Sequence, residues 1–169
     1  GGTCVNNNVG FTCSCAPGWT GRICETRVPQ KCLFGWTEHD SHCYKLMKQK
    51  VSWHNANNEC KRLEANLASV LKQDDKRFMK GFASTAPEGK LPLVWFGLFY
   101  KDNKWTWTDG SPFVYSSWAP KEPRGRREDC VGMYFKSGKN WFAGAKRKRG
   151  EWNNEACHEK YPFVCKRPK

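Results

Sequence analysis

Apolar residues recur at helical spacing in two stretches of this chain. Over residues 53–63, Trp53, Ala56, Cys60 and Leu63 fall at i, i+3, i+7 and i+10, which puts them on one helical face. Ser52 stands just before that face and predicts an N-cap. A second helix is predicted over residues 73–82, with Phe78, Met79 and Phe82 turned inward. After Pro92 the pattern changes to short aromatic runs broken by Gly, Pro and Asp-Gly. The runs at 93–100, 104–108, 130–135, 150–152 and 163–166 read as strands. Helices followed by several antiparallel strands predict an α+β domain. Trp95, Phe96, Trp107 and Phe163 are its expected core, with Trp105 set apart from the rest of the same aromatic cluster.

The chain divides ahead of those elements. Residues 1–26 carry four cysteines, many Gly and Asn, and no helical periodicity; residues 27–31 read as a linker; residues 32–169 hold six cysteines and eight of the nine Trp. A length of 169 residues has room for one domain and a small module. Nine Trp, ten Phe and five Tyr bury enough surface to exclude a wholly disordered chain. The apolar run at 93–100 is far shorter than the ~20 residues of a membrane span. The opening Gly1-Gly2-Thr3-Cys4 looks like that of a mature or trimmed fragment. There is no N-x-[ST] acceptor for N-glycosylation. Ten cysteines with no pair of C-x2-C knuckles, and few His nearby, favour disulfides in an oxidising compartment over zinc.

Charge adds a functional hint. The net charge is +13, from 29 basic and 16 acidic residues, which favours anionic partners. In a secreted protein nucleic acid is the least expected of these. Residues 121–149 concentrate the excess: ten Lys and Arg stand against Glu122, Glu128 and Asp129, a local balance of +7. Arg124, Arg126 and Arg127 form one cluster, and Lys146, Arg147, Lys148 and Arg149 another. Such a run is ordinarily a solvated loop. Two clusters in one region also fit a site for sulfated glycans, because Arg and Lys hold sulfate and phosphate well. Arg124-Gly125-Arg126-Arg127 additionally has the look of a dibasic processing site. Trp118, Trp141 and Phe142 flank the clusters and could stack on a sugar face or pack in the core.

Cys4, Cys13, Cys15 and Cys24, spaced C-x8-C-x-C and followed by Pro17-Gly18-Trp19-Thr20-Gly21, resemble the last four cysteines of an EGF-like module. That resemblance implies a Cys15–Cys24 bridge and a small β-hairpin. The family's first two cysteines are absent, so Cys4 and Cys13 pair with each other, with residues elsewhere, or not at all. The stretch from Cys4 to Cys15 is also similar to the family's hydroxylation signature, with Asn6 as acceptor. The acidic residues that a calcium-binding EGF-like module carries ahead of its first cysteine are missing. A structural spacer is the expected role.

Residues 32–166 resemble the long, six-cysteine form of the C-type lectin-like domain. Cys32-Leu33-Phe34-Gly35-Trp36 with His42-Cys43-Tyr44, Trp53-x2-Ala56-x3-Cys60, Leu67-Ala68-Ser69-Val70, Trp95-Phe96-Gly97-Leu98, Trp107-Thr108-Asp109-Gly110, Glu128-Asp129-Cys130-Val131 and Trp152-Asn153-Asn154 follow that family's motifs in order. The resemblance implies bridges Cys32–Cys43, Cys60–Cys165 and Cys130–Cys157.

In sugar-binding members a Ca²⁺ is held by a Glu-Pro-Asn or Gln-Pro-Asp loop with a cis proline, a Glu before the Cys, and an Asn-Asp pair after the Trp. Glu122, Glu128, Asn153 and Asn154 stand at four of those positions, and Asn154 replaces a carboxylate with an amide. Arg124 stands where the loop's last ligand belongs, and a guanidinium has no oxygen. Calcium needs six to eight oxygens. Weak or absent calcium is therefore expected, with Arg124 pairing Glu122 or Glu128 in place of the cation. Tyr100 and Lys104 occupy the positions of an auxiliary calcium site, which predicts its loss.

No G-x-S-x-G, P-loop, H-E-x-x-H or dinucleotide fingerprint is present, and no enzyme is expected. The expected function is extracellular recognition of carbohydrate, anionic glycans foremost, through Glu122, Arg124, Arg126, Arg127, Glu128, Lys146, Arg147, Lys148, Arg149 and Asn153. Two alternatives stand beside it: a calcium-dependent lectin for neutral sugars through Glu122, Glu128 and Asn153, and a calcium-independent protein-binding module of a receptor or matrix protein.

Overall fold

The computed structural model describes residues 1–28, 31–125, 129–139 and 146–169. The N-terminal module is two small antiparallel pairs, β1 (Gly2–Asn7) with β2 (Gly10–Cys15) and β3 (Trp19–Thr20) with β4 (Thr26–Arg27). Cys4 lies opposite Cys13 in the β1–β2 register and is bonded to it, which closes the pairing left open by the sequence. Cys15–Cys24 forms as the resemblance implies. Asn6 is exposed on β1, opposite Phe11.

The rest of the chain builds an eight-stranded sheet from β5 (Thr37–His39), β6 (His42–Val51), β7 (Asn66–Leu67), β8 (Leu93–Lys101), β9 (Lys104–Trp107), β10 (Cys130–Tyr134), β13 (Trp152–Glu155) and β14 (Tyr161–Pro168). The order β13-β10-β8-β14-β6-β5 runs across it, with β9 on β8 and β7 on β14. Between β10 and β13 a small hairpin pairs β11 (Gly138–Lys139) with β12 (Lys146–Arg147).

The helices are α1 (Trp53–Arg62) and α2 (Gln73–Phe82), followed by a 3₁₀ turn at Ala83–Thr85. Ser52 caps α1 by accepting from the Asn55 N–H at 3.3 Å, as its position predicts. In α2, Met79 is fully buried, while Phe78 and Phe82 are half-buried against the core. The inward face also carries Asp75, which accepts the Leu71 N–H at 2.9 Å.

The sheet buries both faces. Along β8, Val94, Phe96 and Leu98 enter one apolar cluster, with Tyr44, Met79, Trp107, Met133 and Trp152; Leu93 and Trp95 enter another, with Trp53, Tyr134, Tyr161 and Phe163. Alternation at period two explains the division. Two of the buried indoles find carbonyls: Trp53 Nε1 donates to Phe96 O at 2.9 Å and Trp95 Nε1 to Val51 O at 3.0 Å. Trp105 and Trp118 are only partly buried. Gly97 has a packing reason, since a Cβ there would stand 2.6 Å from Leu67 O.

Cys32–Cys43, Cys60–Cys165 and Cys130–Cys157 all form. Two strand readings need correction. The run at 150–152 is a strand only from Trp152 onward, because Gly150 takes φ +93° in a turn. The ten-residue β6 escaped notice beyond its first residues, since Lys45, Lys48, Gln49 and Lys50 dilute its apolar pattern.

Candidate functional site: the cis-proline loop and its surroundings

The site is assembled by docking a loop beside a strand. Trp118 bridges in parallel to Trp152, with Trp152 N–H donating to Ser117 O at 2.8 Å and Ala119 N–H to Trp152 O at 2.9 Å. The chain then turns, Glu122 N–H donating to Ala119 O at 3.0 Å. The Glu122–Pro123 bond is cis, as the lectin-like loop implies.

Arg124 is fixed from two sides. Its N–H donates to Asn154 Oδ1 at 2.8 Å, and its carbonyl accepts from Asn154 Nδ2 at 2.5 Å. Its guanidinium Nε lies 2.8 Å from Glu122 Oε1. The Glu122 side chain is 1% exposed and that of Arg124 39%, so the pair sits at the edge of solvent with its carboxylate inside. Asn153 is buried; its Nδ2 donates to Glu155 Oε1 at 2.7 Å, and its Oδ1 has no hydrogen-bond partner among the described residues.

Those contacts define what the loop offers a cation. Glu122 presents a carboxylate that already faces a guanidinium, and Asn153 presents one buried amide oxygen. Asn154 spends both side-chain polar atoms on the Arg124 backbone. Among the described residues the loop thus offers a carboxylate and one uncommitted amide oxygen, where a calcium ion takes six to eight oxygens. Glu128, Arg126 and Arg127 lie outside the described residues, as do Trp141 and Phe142. The only close group of three metal-ligating residue types among the described residues is His54 with Cys130 and Cys157, whose sulfurs are already joined to each other.

The Lys146–Arg149 cluster lies apart from Arg124. Asn154 pairs with Val131 and Trp152 with Met133, so Arg124 sits toward the Cys130 end of the β10–β13 ladder. Lys146, Arg147, Lys148 and Arg149 lie past the other end, in the hairpin and turn that lead to Gly150. Arg147 covers the Tyr134 ring at 5.1 Å. Burial pushes the Tyr134 hydroxyl up to about 12. Lys148 and Arg149 face α2, where Lys80 joins them; sequence reasoning did not single out Lys80, although its i, i+4 spacing from Lys76 marks a basic stripe on that helix.

The fold and loop are those of a C-type lectin domain, and the comparisons agree. The Lectin C-type domain family matches residues 49–167 and the EGF-like domain family residues 1–22. A protein described as "Lectin" from Pleurodeles waltl is 34% identical over 149 residues, covering 82% of this chain and 80% of that protein. Human lithostathine superposes with a TM-score of 0.70 at 26% identity, over 86% of this chain and 98% of that one. The cow C-type carbohydrate-recognition domain of CD23, solved in the presence of a GlcNAc2Man3 oligosaccharide, gives 0.67 at 25% identity, over 82% and 97%. This chain belongs to the C-type lectin domain family, with an EGF-like module ahead of the lectin domain.

Proposed function

We propose that the chain is an extracellular carbohydrate-binding protein that takes anionic glycans on its basic surface and needs no calcium at the cis-proline loop. It is a recognition module and not an enzyme. The carrying observation is the Arg124–Glu122 pair: a fixed positive charge stands against the carboxylate that a metal would otherwise neutralise. Membership of a lectin family supports a glycan ligand, five disulfides support an oxidising compartment, and the net charge of +13 supports an anionic one. Among the described residues no helix is long and apolar enough to cross a membrane.

A second reading rests on one atom. Asn153 Oδ1 is buried without a partner among the described residues, and a metal would satisfy it. Neutral-sugar binding through Glu122, Glu128 and Asn153 is the function that would follow. A glycan array read with and without EDTA, and at low and high salt, separates the two. Signal on sulfated glycans that survives EDTA and collapses with salt supports the proposal. Loss with EDTA supports the second reading. Silence under every condition overturns both and points to a protein ligand.

A further inference from the structure

A pocket of about 640 Å³ opens on the α2 side of the β10–β13 turn, away from the cis-proline loop, lined by Lys80, Phe135, Lys136, Ser137, Lys148 and Arg149. Four of those six side chains are cationic and none is acidic. Three elements build it: the C-terminal half of α2, the end of β10, and the turn before Gly150.

The turn is held in place. Arg149 N–H donates to Ser137 Oγ at 2.9 Å, Lys148 N–H to Glu151 Oε2 at 2.8 Å, and Gly150 N–H to Tyr134 O at 2.7 Å. Gly150 takes φ +93°, and a Cβ there would stand 2.6 Å from Lys80 Cγ and 3.0 Å from Lys76 Cε. The turn therefore lies directly on two lysine stems.

Two carboxylates touch this region. Glu88 pairs with Lys136, which holds the Glu88 carboxyl below its ordinary range. Glu151 accepts from the Lys148 backbone, leaving the Lys148 ammonium uncommitted by that bond. Lys76, Lys80, Lys136, Lys148 and Arg149 thus outnumber their acidic neighbours five to two. The field is felt by Lys76: burial first, then Lys80 and Lys148, push its pKa down, against the opposing pull of Glu151.

We propose that this pocket is a second ligand site, which seats a sulfated sugar of a glycosaminoglycan-type chain. Fixed cations on three elements match a sulfate approached from several sides. The site is a shallow, open depression, a shape that leaves room for a sugar unit within a longer chain. The proposal rests on the anionic-glycan reading above and adds to it a place distinct from the loop of Glu122 and Arg124.

The test measures binding of a heparin-derived hexasaccharide, its desulfated form, and phosphatidylserine vesicles to the whole chain, at roughly 0.15 M salt. Lys148→Gln/Arg149→Gln is compared with Lys48→Gln/Lys50→Gln, which removes the same charge from exposed positions on β6. Lys80→Gln tests the same pocket from α2, and thermal melts confirm that each variant folds. The expected result is binding of the sulfated hexasaccharide alone, weakened about tenfold or more by Lys148→Gln/Arg149→Gln, and clearly by Lys80→Gln, with little change in the β6 variant. Equal weakening by both double variants overturns the pocket and leaves the anionic-glycan reading standing. Wild-type protein that ignores the hexasaccharide, whether or not it binds vesicles, overturns both.

Discussion

Asn154 and the backbone of Arg124 are tied by two hydrogen bonds running in opposite directions, one accepted by the side-chain amide and one donated by it. An amide can do both at once, and an ionised carboxylate cannot. A carboxylate at this position would accept from the Arg124 N–H but would face the Arg124 carbonyl with a second acceptor. The amide holds the backbone, and the backbone aims the guanidinium at Glu122.

That arrangement predicts which substitutions would favour calcium binding. Arg124→Asn removes the cation and supplies an oxygen; Asn154→Asp supplies a carboxylate and releases the clasp. The double variant is expected to bind Ca²⁺ in the ~10⁻⁴–10⁻³ M range of extracellular modules, while wild type shows no heat of binding at the same concentrations. Isothermal titration reads both. Micromolar binding by wild type would contradict the role given to Arg124.

The pair itself can be measured in a double-mutant cycle of Arg124→Gln and Glu122→Gln. Arg124→Gln removes the guanidinium 2.8 Å from a carboxylate that is 1% exposed. Because the Arg124 side chain is 39% exposed, solvent screens part of the interaction, and a cost of about 1–2 kcal/mol is expected rather than the ~3–5 of a fully buried pair. The coupling energy from urea unfolding should exceed about 0.5 kcal/mol. Strict additivity would mean that the two groups do not sense each other in solution.

The lectin domain's general form was readable because its signals are local or fixed by spacing. Ser52, Trp53, Ala56 and Cys60 predict α1 and its cap, and the structure bears them out. The sequence order of Cys60, Cys130, Cys157 and Cys165, set beside a known family, implied the correct bridges. The site was harder because its decisive contacts are long-range. Nothing near Arg124 announces that Asn154, thirty positions away, will hold its backbone. Lys80 was invisible for a similar reason: its partners Lys148 and Arg149 reach it only once the turn at Gly150 has folded back on α2. Arg124 and the Lys146–Arg149 cluster belong to one basic stretch of sequence, yet Arg124 sits at one end of the β10–β13 ladder and the cluster past the other.

The Cys60–Cys165 bridge joins α1 to β14 across 105 positions. In the chain-entropy model a loop of that size restricts the unfolded chain by about 4–5 kcal/mol. Cys60→Ala/Cys165→Ala is expected to lose about 2–5 kcal/mol in chemical denaturation, with Cys32–Cys43 intact. Loss of less than about 1 kcal/mol would show that packing of Trp53 and Phe163 against the same cluster holds the ends together without the bond.

Alkaline pH offers a separate check on the packing beneath the hairpin. Burial raises the Tyr44, Tyr134 and Tyr161 hydroxyls above their ordinary value of 10.0, Tyr134 to about 12. In the unfolded chain these groups ionise near 10, while in the folded chain they stay protonated. The folded state then holds more protons, so stability is fully present below pH 10 and falls as pH rises toward the folded values. Tyr134→Phe removes one such group. The Tyr134 hydroxyl has no hydrogen-bond partner among the described residues, so the substitution should leave stability at pH 7 unchanged or slightly higher. Above pH 10 the variant should lose stability less steeply, the difference reaching about 1.4 kcal/mol at pH 11. Urea unfolding at pH 7, 9, 10 and 11 measures the difference, and parallel curves for wild type and variant would show that the Tyr134 hydroxyl is not shielded from water as the hairpin and the Arg147 side chain over its ring imply.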